Sequence, residues 1–127
     1  MGLASNQARL NILTLRKADL EYRLIMITNQ AQNLAEEKSE EVAKKAQALE
    51  TFNNDIASGK IDKDVTFDQT AAYADYETAM AELDIADTKL TQEQKAVETE
   101  HAAVVAEKEE VEKLVGNNIK DSFGYFD

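Results

Sequence analysis

The sequence predicts an all-α protein: one long antiparallel helical hairpin of coiled-coil type, expected to pack into an oligomer. Three observations carry this. The 127 residues include no Pro and only four Gly, so little interrupts very long helices. Apolar residues recur at alternating spacings of three and four over two stretches, the pattern of helices that supercoil left-handedly on a partner. One short segment, Ser58 to Val65, separates the stretches, and a connection that short folds neighbouring helices back on each other. The whole chain is therefore read as a single hairpin domain.

The first helix is expected over about residues 5–57. Its seam runs through Leu10, Leu13, Lys17, Leu20, Leu24, Ile27, Ala31 and Leu34, passes Lys38 to Val42, and resumes at Ala46, Leu49 and Ile56. The two successive steps of four at Lys38 and Val42 predict a stutter, a local relaxation of the supercoil. The charged stretch from Ala35 to Glu50 is expected to be a solvated arm.

A loop is expected over about residues 58–66, with Gly59 suited to a helix C′ position of positive φ. Thr66 to Gln69 fits a capping box that opens the second helix, expected over about 67–116. Its seam reads Tyr73, Tyr76, Met80, Leu83, Asp87, Leu90, Gln94, Val97, His101, Val104, Lys108, Val111 and Val115. One row of it is apolar throughout; the other turns polar at Asp87, Gln94, His101 and Lys108. Gly116-Asn117-Asn118 predicts a stop, leaving residues 117–127 as a tail. Helices of about 50 residues would each extend roughly 75 Å.

The formal charge is −11, which argues against nucleic acid, since phosphate binding needs a concentrated basic surface. The charge is uneven. Residues 1–24 carry Arg9, Arg16, Lys17 and Arg23 against Asp19 and Glu21, a net of +2, while the rest, with 10 basic and 23 acidic residues, is −13. No run approaches the ~18 apolar residues of a membrane span. Arg16, Lys17 and Asp19 interrupt any secretory signal core. The expected location is extracellular or at the cell surface through an uncleaved export signal, with the cytoplasm as the alternative.

Candidate chemistry is sparse. Glu98 and His101 have the Glu-x-x-His spacing of di-iron bundles, but such sites need two copies and further inward carboxylates. The segment opposite His101, around Leu24 to Thr28, offers apolar or hydroxyl groups, with Glu21 a turn away. A polar seam histidine that sets register is the better reading. Asp62, Asp64, Thr66 and Asp68 space like a calcium loop, yet Phe67 and Tyr73 stand where Gly and Glu are required. There is no phosphate-cradling Gly-rich loop, no Cys and a single His, which leaves little for nucleophilic catalysis. The chain is read as no enzyme, with no metal, cofactor or small-molecule substrate.

What remains is apolar surface. From Leu10 to Ile27 the first helix is apolar beyond its seam, at Ile12, Leu15, Ile25 and Met26, and a helix apolar on several faces belongs inside something. A hairpin brings this half beside the C-terminal residues, which hold Ile119, Phe123, Tyr125 and Phe126. The assembly surface is accordingly expected from Leu10, Ile12, Leu13, Leu15, Leu24, Ile25, Ile27, Val104, Val111, Ile119, Phe123, Tyr125 and Phe126. The expected partner is a second copy of the chain.

The opening Met1-Gly2-Leu3-Ala4-Ser5-Asn6-Gln7-Ala8-Arg9-Leu10, with Thr14, Arg16, Lys17, Asp19 and Glu21, resembles the start of a group of small bacterial helical proteins, and Asn118 to Phe123 is similar to their ending. This resemblance implies no activity and carries over no site residue. In architecture the chain is similar to flagellins and type III secretion needle subunits, which lack cysteine, leave without a cleaved signal and assemble through paired terminal helices. The resulting expectation is a self-assembling structural subunit, of a bacterial filament, polymerising through its terminal helical halves. The alternative is a discrete coiled-coil adaptor, chaperone or phage structural component that docks a partner helix.

Overall fold

A computed structural model describes residues 2–124. These residues form α1 (Leu3–Ser58), a short 3-10 turn (Phe67–Gln69) and α2 (Ala71–Gly124), with no strand among them. The two helices pack against each other, so the fold is an all-α helical hairpin. It divides into two compact units.

In the unit built on residues 2–28 and 92–124, the seam is built on a seven-residue row in each helix, with Val115 added beside it. Asn6, Leu13, Leu20 and Ile27 of α1 are buried, as are Val97, Val104, Val111 and Val115 of α2. Side-chain pairs fix the antiparallel register. Asn6 Nδ2 donates to Asn118 Oδ1 at 2.8 Å, Arg9 meets Glu107 at 2.6 Å and Arg16 meets Glu100 at 2.6 Å. Counting inward in sevens from the asparagine pair sets Leu13 level with Val111, Leu20 with Val104 and Ile27 with Val97; the long arginine and glutamate side chains reach obliquely across this register. The arginine pairs are half-exposed, so they add little stability; their value lies in excluding other registers.

The asparagine pair explains a difference from the expected boundaries. Gly116-Asn117-Asn118 does not stop α2, which continues as helix to Gly124. Asn118 stands seven residues beyond Val111, and Asn6 seven before Leu13, so this hydrogen bond occupies the next rung of the same row. Gly116 is therefore an interior helical residue, exposed, with nothing within 4 Å of an added Cβ. Gly116→Ala should stabilise the protein by about 0.5–1 kcal/mol, the usual cost of a mid-helix glycine. Urea denaturation of the variant beside the parent checks this.

The unit Asn29–Thr91 corrects the expected stutter. The residues of α1 that are partly covered are Leu34, Lys38, Glu41, Lys45, Ala48, Phe52 and Asp55, an unbroken alternation of four and three, together with Ile56, which the expected seam included. Val42 and Leu49, expected on the seam, are 50% and 39% exposed. Two lysines make the unbroken repeat possible, because a lysine can bury its alkyl stem while its head finds a partner. Lys38 Nζ lies 3.1 Å from both Asp84 and Asp87, and these two carboxylates hold its ammonium above the usual lysine range. Lys45 Nζ sits over the Tyr76 ring, 4.6 Å from its centroid. The expected solvated arm is thus partly an interface.

The connection follows from local chemistry. Gly59, at φ 84°, ends α1 in a Schellman motif: Lys60 N–H donates to Asp55 O at 2.9 Å and Gly59 N–H to Ile56 O at 3.2 Å. Thr66 N–H donates to Gln69 Oε1 at 3.2 Å, the reciprocal half of the expected capping box. That box closes only the 3-10 turn. Thr70 caps α2 itself, accepting from Tyr73 N–H at 3.3 Å. Phe67 then anchors the loop, edge-on to Phe52 and to Tyr73 at centroid distances of 5.6 and 5.8 Å.

Candidate assembly surface

With the seam of the terminal unit placed, the faces it leaves open can be read. At about 100° per residue, a residue two positions beyond a seam residue points almost directly away from it. Leu15 and Tyr22 stand in that relation to Leu13 and Leu20. Ile12 and Met26 flank them on one side and Ile25 on the other. The exposures agree: Ile12 63%, Leu15 72%, Tyr22 61%, Ile25 59% and Met26 42%. These five residues make one apolar stripe on the outer face of α1, and no described residue of the chain covers it.

A second apolar cluster lies at the C-terminal end of the same unit. Leu3, Ile119, Ser122 and Phe123 line a shallow groove, and Phe123 is 73% exposed; Leu114, also exposed, lies about half a turn around α2 from Phe123. Phe123 does not fold back onto Ile12 or Leu15, since all three remain open to solvent.

The expected contact residues therefore separate into two groups. Leu13, Ile27, Val104 and Val111 are buried in the intramolecular seam, so they are unavailable to another chain while the hairpin is intact; Leu10 and Leu24 are half-buried along it. Apolar composition alone cannot make this distinction, because a seam leucine and a surface leucine look alike until the helix phase is fixed. Ile12, Leu15, Ile25, Ile119 and Phe123 are exposed. Tyr125 and Phe126 lie outside the described residues. The expectation omitted Tyr22, Met26, Leu3 and Leu114, of which the first two share heptad positions with Leu15 and Ile12.

The polar candidates do not converge on a site. His101 Nε2 lies 3.2 Å from Glu21 Oε1 across the seam, whereas Glu98 accepts from Gln94 Nε2 at 3.1 Å on α2 itself. Asp62 Oδ1 accepts from Asp64 N–H at 3.2 Å, and Asp68 accepts from the Thr66 hydroxyl, so these carboxylates serve the turn. Among the described residues no three His, Cys, Asp or Glu side chains group as metal ligands. Among the described residues no helix is long and apolar enough to cross a membrane.

The bond from His101 and the nearby Lys17 ammonium lower the Glu21 carboxyl from its ordinary range. A carboxyl depressed in the folded state stabilises above its unfolded pKa, and that contribution disappears as pH falls through the folded value. Glu21→Gln should therefore melt slightly below the parent at pH 7 and level with it at acid pH. Thermal melts of both proteins across that range check the convergence.

A scan of protein-family models, a search of curated proteins and a search of solved structures each find no match to this chain. The fold and its surface define a class nonetheless: a coiled-coil hairpin with a filled seam and surplus apolar surface on its terminal unit.

Proposed function

We propose that this protein is a structural subunit that assembles with copies of itself through its terminal unit, as the repeating element of a bacterial filament. One observation carries the reading: the outer stripe of α1 stays exposed although the seam beneath it is complete. On the order of 600 Å² of apolar side chain lies open there, at the upper limit for a single patch on a monomer. The cluster around Phe123 supplies a second contact face. One face that pairs with itself closes a dimer, whereas two such faces on each chain generate an open array. Export to the cell surface without a cleaved signal belongs to the same proposal.

Multi-angle light scattering over a concentration series, with negative-stain imaging of the same samples, tests this. The reading requires masses that grow with concentration and elongated particles. A defined complex with a foreign helix and no homotypic growth would favour an adaptor instead.

A further inference from the structure

The outer stripe has a symmetry of its own. Ile12 with Ile25, and inside them Leu15 with Tyr22, are equally spaced about a point between Ala18 and Asp19. In an isologous contact one patch serves both copies, related by a two-fold axis, so antiparallel pairing about that point sets these four apolar residues level with one another; Met26, whose counterpart position is Asn11, lies outside the symmetric set. We infer that the outer face of α1 pairs with the same face of a second copy, antiparallel, about a two-fold axis passing between Ala18 and Asp19. This inference rests on the self-assembly reading and gives it a first contact.

In that arrangement Ile12 comes level with Ile25 of the second copy, Leu15 with its Tyr22 and Ala18 with its Asp19. The large ring of Tyr22 meets a leucine and not another tyrosine, and the small Ala18 at the axis lets the helices approach. The charges favour the same direction. Asp19 comes within two residues, about 3 Å along the axis, of the level of Arg16 in the second copy, whose guanidinium also holds Glu100 of its own chain, and symmetry repeats this approach of opposite charges. A parallel pairing would set Asp19 against Asp19, Arg16 against Arg16 and Arg23 against Arg23, and like charges at one level are unfavourable.

Area and net charge point to a second copy as the occupant. The stripe's roughly 600 Å² approaches the ~800 Å² per partner of a standard interface, with the flanking stems of Arg16 and Arg23 still to be counted. Residues 1–24 carry a net of +2 in a chain of −11, so two copies meet where their mutual repulsion is weakest.

The chain has no cysteine, which permits a clean test. Ala18→Cys and Asn11→Cys place single thiols on the same exposed flank of α1. Each full-length variant is treated with a short bismaleimide spanning about 8 Å, and the parent is weighed by light scattering. Antiparallel pairing brings the two thiols of the Ala18→Cys variant together and separates those of the Asn11→Cys variant by about 22 Å along the axis. The expected result is a covalent dimer from Ala18→Cys in at least tenfold higher yield than from Asn11→Cys. Equal yields would overturn the antiparallel arrangement. Crosslinking at neither position, with the parent associated in solution, would assign assembly to another face, overturning this contact and leaving the proposed function standing. A parent that stays at 14.1 kDa would remove both.

Discussion

The double variant Leu15→Glu with Tyr22→Glu is expected to be a monomer of 14.1 kDa at concentrations where the parent is assembled. Both side chains lie at the centre of the outer stripe, 72% and 61% exposed in the isolated chain. Burying a leucine or an aromatic side chain contributes about 1.5–3 kcal/mol, and a two-fold contact uses each position twice. Carboxylates there also lose hydration without gaining a partner. A loss of at least ~4 kcal/mol follows, about 1,000-fold in the association constant. Folding should be nearly untouched, within about 0.5 kcal/mol, because exposed sites away from special features tolerate exchange and glutamate is a good helix former. Sedimentation velocity gives the mass, and circular dichroism confirms that the helices remain.

Leu20→Ala should show the opposite pattern. Leu20 is 2% exposed, on the rung of the buried Val104, so truncation removes buried surface and leaves a cavity at the middle of the terminal unit's seam. The expected cost is about 3 kcal/mol of unfolding free energy, or a midpoint lower by about 10 °C. Chemical denaturation at a protein concentration low enough for the parent to be monomeric, with Leu15→Ala as control, is the decisive comparison. The two leucines lie five residues apart on one helix, yet Leu15→Ala should cost within about 0.5 kcal/mol. Similar losses at both positions would mean that α1 is rotated from the phase described.

Much of this phase is legible in the sequence. The rows Leu13, Leu20, Ile27 and Val97, Val104, Val111 each follow from apolar spacing alone; the bond between Asn6 and Asn118 sets them against each other. Gly59 announces the end of the first helix because its left-handed backbone is costly for any residue with a Cβ. Two features mislead for a shared reason: residue type assigns a polar side chain to the surface whatever its position. By type, the expected repeat moves on from Lys38 to Val42 and Leu49 and passes over Glu41 and Lys45, although Lys38 and Lys45 are both partly covered. Their stems in fact occupy the seam, and their heads reach Asp84, Asp87 and Tyr76. By type, Asn118 ends a helix, although it sits on the row and bonds Asn6. The charge of a side chain does not decide its place on a heptad; its reach and its partner do.

The same ambiguity blurs the assembly surface. Leu10, Leu13, Leu24, Ile27, Val104 and Val111 group with Ile12, Leu15 and Ile25 on composition, because both sets are apolar and lie in the terminal unit. Only the register separates residues that hold this hairpin together from those left over. Subtracting the seam leaves Ile12, Leu15, Tyr22, Ile25 and Met26, a more confined and more symmetric surface than composition suggests.

Sedimentation velocity of the unmodified chain, from low micromolar to near-millimolar concentration, tests self-assembly most directly. Species of at least twice 14.1 kDa are expected, gaining mass with concentration and absent from the Leu15→Glu, Tyr22→Glu variant. A single monomeric boundary across the whole range would contradict self-assembly.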